Sequence, residues 1–247
     1  MKDAMILCAG LMLLATNALA ANQNTFTPPK GCTAFLTVQD RNCQVEHHWA
    51  CKGDPEGQVW RLVIDGEGPR QLSLTDNEFR WVLTYPLRAG TKETLVTPEA
   101  DPASLTELLA TGIDSYDFQI QIALDGRPLR RDRVVGFDKL TGNSVTIDGE
   151  PLLTTEFAYT ISNDRDDSTY KAYGQQFVSE RYNVFFGGVE TSESGGSKEN
   201  YDNSPVEFLK PGEKGFLSRN PKYDCGAVMS RFSTRPKTEQ MEAPDDL

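Results

Sequence analysis

The chain has 247 residues and a formal charge of −11, with 25 Lys and Arg against 36 Asp and Glu. An acidic chain repels phosphate backbones and anionic lipid, which argues against nucleic acid as a ligand and against a charged membrane surface. After Ala20 nothing approaches the roughly 20 apolar residues of a membrane-spanning helix, so no transmembrane segment is expected beyond the leader described next.

Met1–Ala4 carries one Lys, Met5–Ala15 is a nearly unbroken apolar run, and Asn17-Ala18-Leu19-Ala20 places small residues three and one before a cut. These are the charged, apolar and cleavage regions of a secretory signal, expected over residues 1–20. The run is too short for a membrane anchor, and neither Cys8 nor Cys32 stands in the setting of a lipid-attached cysteine. With no Asn-x-Ser/Thr acceptor, a bacterial periplasm is the simplest destination. The mature chain keeps about 230 residues and an apolar fraction of about 35%, a lean core for one large or two small domains. Residues 21–31 are polar, carry Pro28-Pro29, and read as a linker into a single β-rich domain over 32–231.

Four mature cysteines suggest two disulfides. Two β-rich runs between Cys32 and Cys51 flank Asp40-Arg41-Asn42. A two-residue turn at Arg41-Asn42 puts Cys32 opposite Cys51 at the open end of a hairpin and Cys43 opposite Asp40. The expected bridges are therefore Cys32–Cys51 and Cys43–Cys225, contributing at most about 3 and about 5 kcal/mol by loop closure. A metal is the rival use of Cys43, His47, His48 and Cys51. However, His47 and His48 point to opposite faces of a strand, and spacings of four residues separate the others by about 13 Å. Zinc ligands must converge at about 2 Å, so neither a metal nor another cofactor is expected.

Period-two alternation then recurs along the chain. Trp60, Leu62 and Ile64 share a face before the turn Asp65-Gly66-Glu67-Gly68-Pro69; Leu72 and Leu74 follow, then Trp81, Leu83 and Tyr85. One short helix is predicted, capped by Asp101, with Pro102 in its first turn, a Leu105, Leu108, Leu109 stripe, and Gly112 at its end. From Ser115 to Leu124 the residues Tyr116, Phe118, Ile120, Ile122 and Leu124 alternate with polar neighbours. Asp125-Gly126 and Asp148-Gly149 mark tight hairpins. Strands are expected at 129–137, 144–147, 152–161, 169–178 and 182–189, with a bulge or bend at Gly187-Gly188. Residues 191–203 read as a mobile loop and 232–247 as a disordered acidic tail. No helix–strand alternation supports a parallel sheet. The fold class is mainly β, a curved antiparallel meander or open barrel with one short covering helix.

Catalytic motifs are lacking: there is no Gly-x-Ser-x-Gly, phosphate loop, His-Glu-x-x-His or dinucleotide fingerprint. The sequence therefore reads as non-enzymatic. Asp164-Arg165-Asp166-Asp167-Ser168 begins like a calcium loop but has Thr169 where Gly is needed and Gln175 where Glu is needed, so it reads as a polar hairpin tip. Asp114 and Asp117 flank the alternating strand, and with no partner fixed they read as loop and exposed-face residues. Arg131 and Arg133 share a face and suit a carboxylate, but pairing with acidic residues of neighbouring strands accounts for them. The aromatics carry the functional expectation. Phe157 and Tyr159 share a face, as do Tyr173 and Phe177, and with Phe118 and Ile120 they are the candidate lining of an apolar cavity. Ordinary core has the prior claim on such rows.

A long exported meander covered by little helix resembles, in architecture, the periplasmic lipoprotein-carrier group, whose open barrel shelters acyl chains. The segments Cys43-Gln-Val-Glu-His-His-Trp-Ala-Cys51, Phe137-Asp-Lys-Leu-Thr-Gly142 and Arg181-Tyr-Asn-Val-Phe-Phe-Gly-Gly188 resemble uncharacterised exported β-rich proteins of α-proteobacteria. Export, the alternating aromatic strands and the missing catalytic motifs together point to a periplasmic, non-catalytic binding or carrier domain for an apolar or amphipathic ligand. The alternative is a cell-envelope module with a solid core that binds a protein partner.

Overall fold

The computed structural model describes residues 24–166 and 168–226; the expected signal over 1–20 and tail over 232–247, like Asp167, lie outside the described residues. The strands are β1 (Cys32–Asp40), β2 (Gln44–Cys51), β3 (Val59–Asp65), β4 (Gly68–Thr75), β5 (Trp81–Pro86), β6 (Thr91–Asp101) and β7 (Ile113–Leu124). They continue as β8 (Arg127–Ile147), β9 (Glu150–Asn163), β10 (Thr169–Ser179), β11 (Val184–Phe186), β12 (Val189–Ser194), β13 (Ser197–Asp202) and β14 (Pro205–Leu209). One helix, α1 (Leu105–Thr111), precedes β7.

All the strands belong to one antiparallel sheet in the order β13-β12-β10-β9-β8-β7-β6-β5-β4-β3-β2-β1-β14, with β11 beside β10. It is a curved meander that does not close into a barrel. Tight turns dictate the meander. Asp125-Gly126 and Asp148-Gly149 all have positive φ, the conformation that two-residue hairpins require. The outermost strands of the order, β13 and β14, are joined in sequence only by Asn203-Ser204, so the sheet must curl to bring its ends together. The Asn203 side chain accepts hydrogen bonds from the Asn42 and Gln44 amides at 3.0 and 3.1 Å. Leu36, Val38, Leu152, Val184, Phe186 and Phe208, drawn from β1, β9, β11 and β14, form one buried cluster across the junction.

Both expected disulfides form, Cys32–Cys51 and Cys43–Cys225. The turn between their strands differs from the expected one. The loop is Arg41-Asn42-Cys43, with Asp40 opposite Gln44 and positive φ at Asn42 and Cys43. A bulge at Phe35 then shifts the register by one, which restores Cys32 opposite Cys51. An extra loop residue and a bulge residue cancel.

Residues 24–31 are not a free linker. Phe26 donates its N–H to the Leu217 carbonyl at 2.8 Å and stacks on His47 at 5.0 Å, over the outer face of β1 and β2. The segment from 210 to Cys225 lies on the same face. There the Gln39 amide donates to the Asn220 carbonyl at 3.1 Å and accepts from the Lys222 N–H at 3.0 Å. Thus β1 and β2 are covered on both faces, and their polar side chains supply the hydrogen bonds of the cover.

The helix is capped by Ser104 rather than Asp101: Ser104 Oγ accepts the Glu107 N–H at 3.1 Å, while Asp101 ends β6. Gly112 terminates it in the left-handed conformation. Residues 191–203, expected as a loop, are mostly the hairpin β12–β13, turned at Gly195-Gly196 with φ of 55° and 81°. Its strands are polar because they form a sheet edge with little to bury, so hydrophobic alternation could not reveal them. The expected strands 129–137 and 144–147 are two parts of β8, bent where the register shifts between Leu140 and Ser144. The break at Gly187-Gly188 separates β11 from β12, both paired to β10.

Two outcomes test this architecture. Replacing Cys43 and Cys225 together by Ala should lower stability to guanidinium by about 2–5 kcal/mol and open residues 210–225 to proteases, read by mass mapping. In Gly188→Ala, a Cβ would lie 2.2 Å from the Gln175 carbonyl oxygen, so a loss of about 1–3 kcal/mol is expected from thermal melts.

Candidate functional site

The curled sheet surrounds a partly open cavity of about 710 Å³. Its lining follows the period-two rule: Gln44, Glu46 and His48 on β2, Val59, Arg61 and Val63 on β3, Phe157 and Tyr159 on β9, Glu190 and Ser192 on β12. These strands lie far apart in the sheet order, so the sheet wraps around the space.

One wall is polar. Glu46 meets Arg61 Nη1 at 3.3 Å and His48 Nε2 at 3.2 Å. Burial pushes the Glu46 carboxyl up, but Arg61 and His48 outweigh it and hold the group below its ordinary value. Nearby Asp40 is pushed well up, by burial first and then by the Glu46 charge. Across the cavity, burial also raises Glu93 and Glu190. His47, on the outer face of β2, is driven to about 4 by burial and then by the neighbouring His48. The two histidines do turn to opposite faces, His48 into the cavity and His47 against Phe26.

The other wall is aromatic. Trp81 meets Phe118 and Tyr159 edge to face at 5.5 and 5.7 Å, and Phe157 stacks on Tyr159 at 6.0 Å. Behind this wall, under α1, is a recess of about 70 Å³. Six side chains face both spaces: Phe79, Trp81, Phe157, Tyr159, Gln176 and Phe185. Asp114 and Asp138, cross-strand partners on β7 and β8, line the recess. Directly opposed residues of an antiparallel pair share a face, so the two carboxyls are neighbours. Asp114 is therefore not a loop residue at the surface: it is 3% exposed, and its Oδ2 accepts the Ser104 N–H at 2.9 Å. Burial, with Glu107, Asp101 and Glu78 nearby, raises it to about 6. Asp138 accepts from the Gln176 amide at 2.6 Å, and burial together with Asp114 raises it to about 7. Glu78 differs. Burial raises it too, but hydrogen bonds from Thr106 and Ser104 at the start of α1 outweigh that and lower it overall.

Among the aromatic candidates, Phe157 and Tyr159 face the cavity and Phe118 faces the recess. Ile120 is sealed in a cluster with Tyr116, Ile122 and Val134. Phe177 packs against the cluster of Leu36 and Phe186. Tyr173 is 36% exposed on the outer side of β10, held by Glu193 and Lys198 at 3.1 and 2.6 Å, while Tyr170 faces inward. With aromatics on both faces of β10, the strand alone does not say which face is concave. Asp117 and Arg133 pair on the outer face at 2.5 Å, Arg130 pairs with Asp132, and Arg131 donates to Gln121. Trp81, Tyr170 and Asp138 were missed as lining residues. Asp114 was legible, since it stands in phase with Tyr116 and Phe118 along β7.

No family model and no curated protein matches the chain. Among solved structures, it is similar to the hypothetical lipoprotein YmcC from Escherichia coli, with 15% identity over 72% of this chain and 87% of that one, at a TM-score of 0.40.

Raised carboxyls have a defined linkage sign. The folded state keeps protons on Asp114 and Asp138 that the unfolded chain releases near pH 4, so their contribution to stability is present below that pH and lost as pH rises through about 6 and 7. Asp138→Asn should therefore gain stability relative to the parent between pH 4 and 8, by at most about 1.4 kcal/mol per pH unit, measured by urea unfolding across that range.

Proposed function

We propose that this protein is an exported, periplasmic binding or carrier domain for an amphipathic ligand, without catalytic activity. The observation that carries the reading is the cavity of about 710 Å³ with one aromatic and one polar wall. That volume lies within the range of small-ligand sites, and the division of its walls suits a molecule with an apolar body and a polar end. Two disulfides accord with an oxidising compartment. The cavity favours this reading over the interaction-module alternative, which expects a filled interior.

Native mass spectrometry of the protein purified from an exporting host should show a co-purifying amphiphile, and an environment-sensitive apolar dye should bind and be displaced by it. Thr84→Trp, which places an indole into the cavity from β5, should weaken dye binding at least tenfold while the protein still melts cooperatively. A parent protein that binds neither amphiphile nor dye would sink the reading.

A further inference from the structure

The recess under α1 has a composition that selects its occupant. Among the described residues, three carboxylates line it, Glu78, Asp114 and Asp138, and no Lys, Arg or His does. Among its aromatic walls, Trp81, Phe118 and Tyr159 hold one another by edge contacts. Asp114 Oδ1 is buried and has no hydrogen-bond partner, although its sister oxygen is satisfied by Ser104. A buried acceptor left unmatched is costly, so the recess is short of a donor.

An anionic head is repelled by the carboxylates. Among the described residues, no three His, Cys, Asp or Glu side chains converge so as to hold a metal ion. Water or a hydroxyl supplies a donor but no charge to offset the two adjacent carboxyls once both have ionised, as pH rises through about 7. An ammonium supplies three N–H donors and a positive charge, and aromatic faces attract it.

We infer that Asp114 and Asp138 in this recess bind a primary ammonium group, the cationic head of the ligand whose body occupies the adjoining cavity. The inference rests on the carrier reading and names its ligand class as an amine-bearing amphiphile. Among the described residues, the groups facing the pair are Glu107 of α1, Asp101 at the end of β6, Glu78 before β5, Tyr116 of β7, Tyr159 of β9 and Gln176 of β10; none is basic. A bound cation favours the ionised form of both carboxyls, which are near 6 and 7 when the site is empty. Binding therefore releases protons and strengthens as pH rises from 5 to 8, a range in which an alkylamine stays charged.

Calorimetric titration of the full protein with octylammonium, octyl glucoside and octanoate tests this. At pH 8 octylammonium should bind at least tenfold tighter than the other two, and the advantage should shrink severalfold at pH 5. In Asp114→Asn/Asp138→Asn the advantage should vanish while octyl glucoside binds as before. The amide oxygens can still accept from Ser104 and Gln176, and should this variant fail to fold, the pH dependence of the parent decides. Equal binding of the three octyl compounds, or an advantage that the double variant keeps, overturns the ammonium site and leaves the carrier reading standing. Binding of none of the three overturns both.

Discussion

Among the described residues, a sheet of fourteen strands has one helix of seven residues, which cannot cover it, so the sheet has to cover itself. Everything else in the structure follows from that constraint. The apolar face of β7, with Tyr116, Phe118, Ile120 and Ile122, finds its partners in Trp81, Leu95, Tyr159 and Ile161 on other strands of the same sheet. The helix closes only one end, where Leu105 and Leu108 meet Val178 and Phe185. Curling this far leaves the middle unfilled, and the cavity is what remains between walls held apart by the sheet's own radius.

A curled open sheet still has two ends to secure, and here they are secured by different chemistry. Across the junction of β11 with β1 and β14 an apolar cluster and the Asn203 amide network bring the ends together. On the outside of β1 and β2, chain from both ends of the described region lies against polar strand residues, and Cys43–Cys225 fixes it there. A lean apolar composition makes these fastenings necessary, because burial alone supplies less stabilisation than in a chain of average composition.

The polar groups inside are matched to the same geometry. Glu46 stays ionised because Arg61 and His48 stand beside it, and Glu78 because Thr106 and Ser104 at the start of α1 donate hydrogen bonds to it. Asp114 and Asp138 have no such neighbour. A protein buries a carboxyl pair without a cationic partner only at a cost to its own stability. The tight approach at Gly136, where a Cβ would lie 2.8 Å from the Tyr116 ring, lets that ring lie over β8 beside the Asp114 and Asp138 pair.

Local sequence determined strands β3, β4, β5, β7, β9 and β10, both parts of β8, the two Asp-Gly hairpins, the position of the helix, the break at Gly187-Gly188 and the Cys32–Cys51 pair, because alternation, turn residues and cysteine spacing act over a few residues; Cys43 and Cys225, 182 residues apart, followed only as the two cysteines left over, and β6, mostly polar, did not show. The same locality explains what it could not determine. The polar hairpin β12–β13 has no apolar face to announce it, and the bulge at Phe35 leaves no mark in composition. The packing of residues 24–31 depends on Leu217 and His47, far away in the chain. Which face of β10 is concave, and that Asp114 faces Asp138, were decided by the curl and register of the whole sheet, since a strand fixes the alternation of its side chains but not what its neighbours place opposite them.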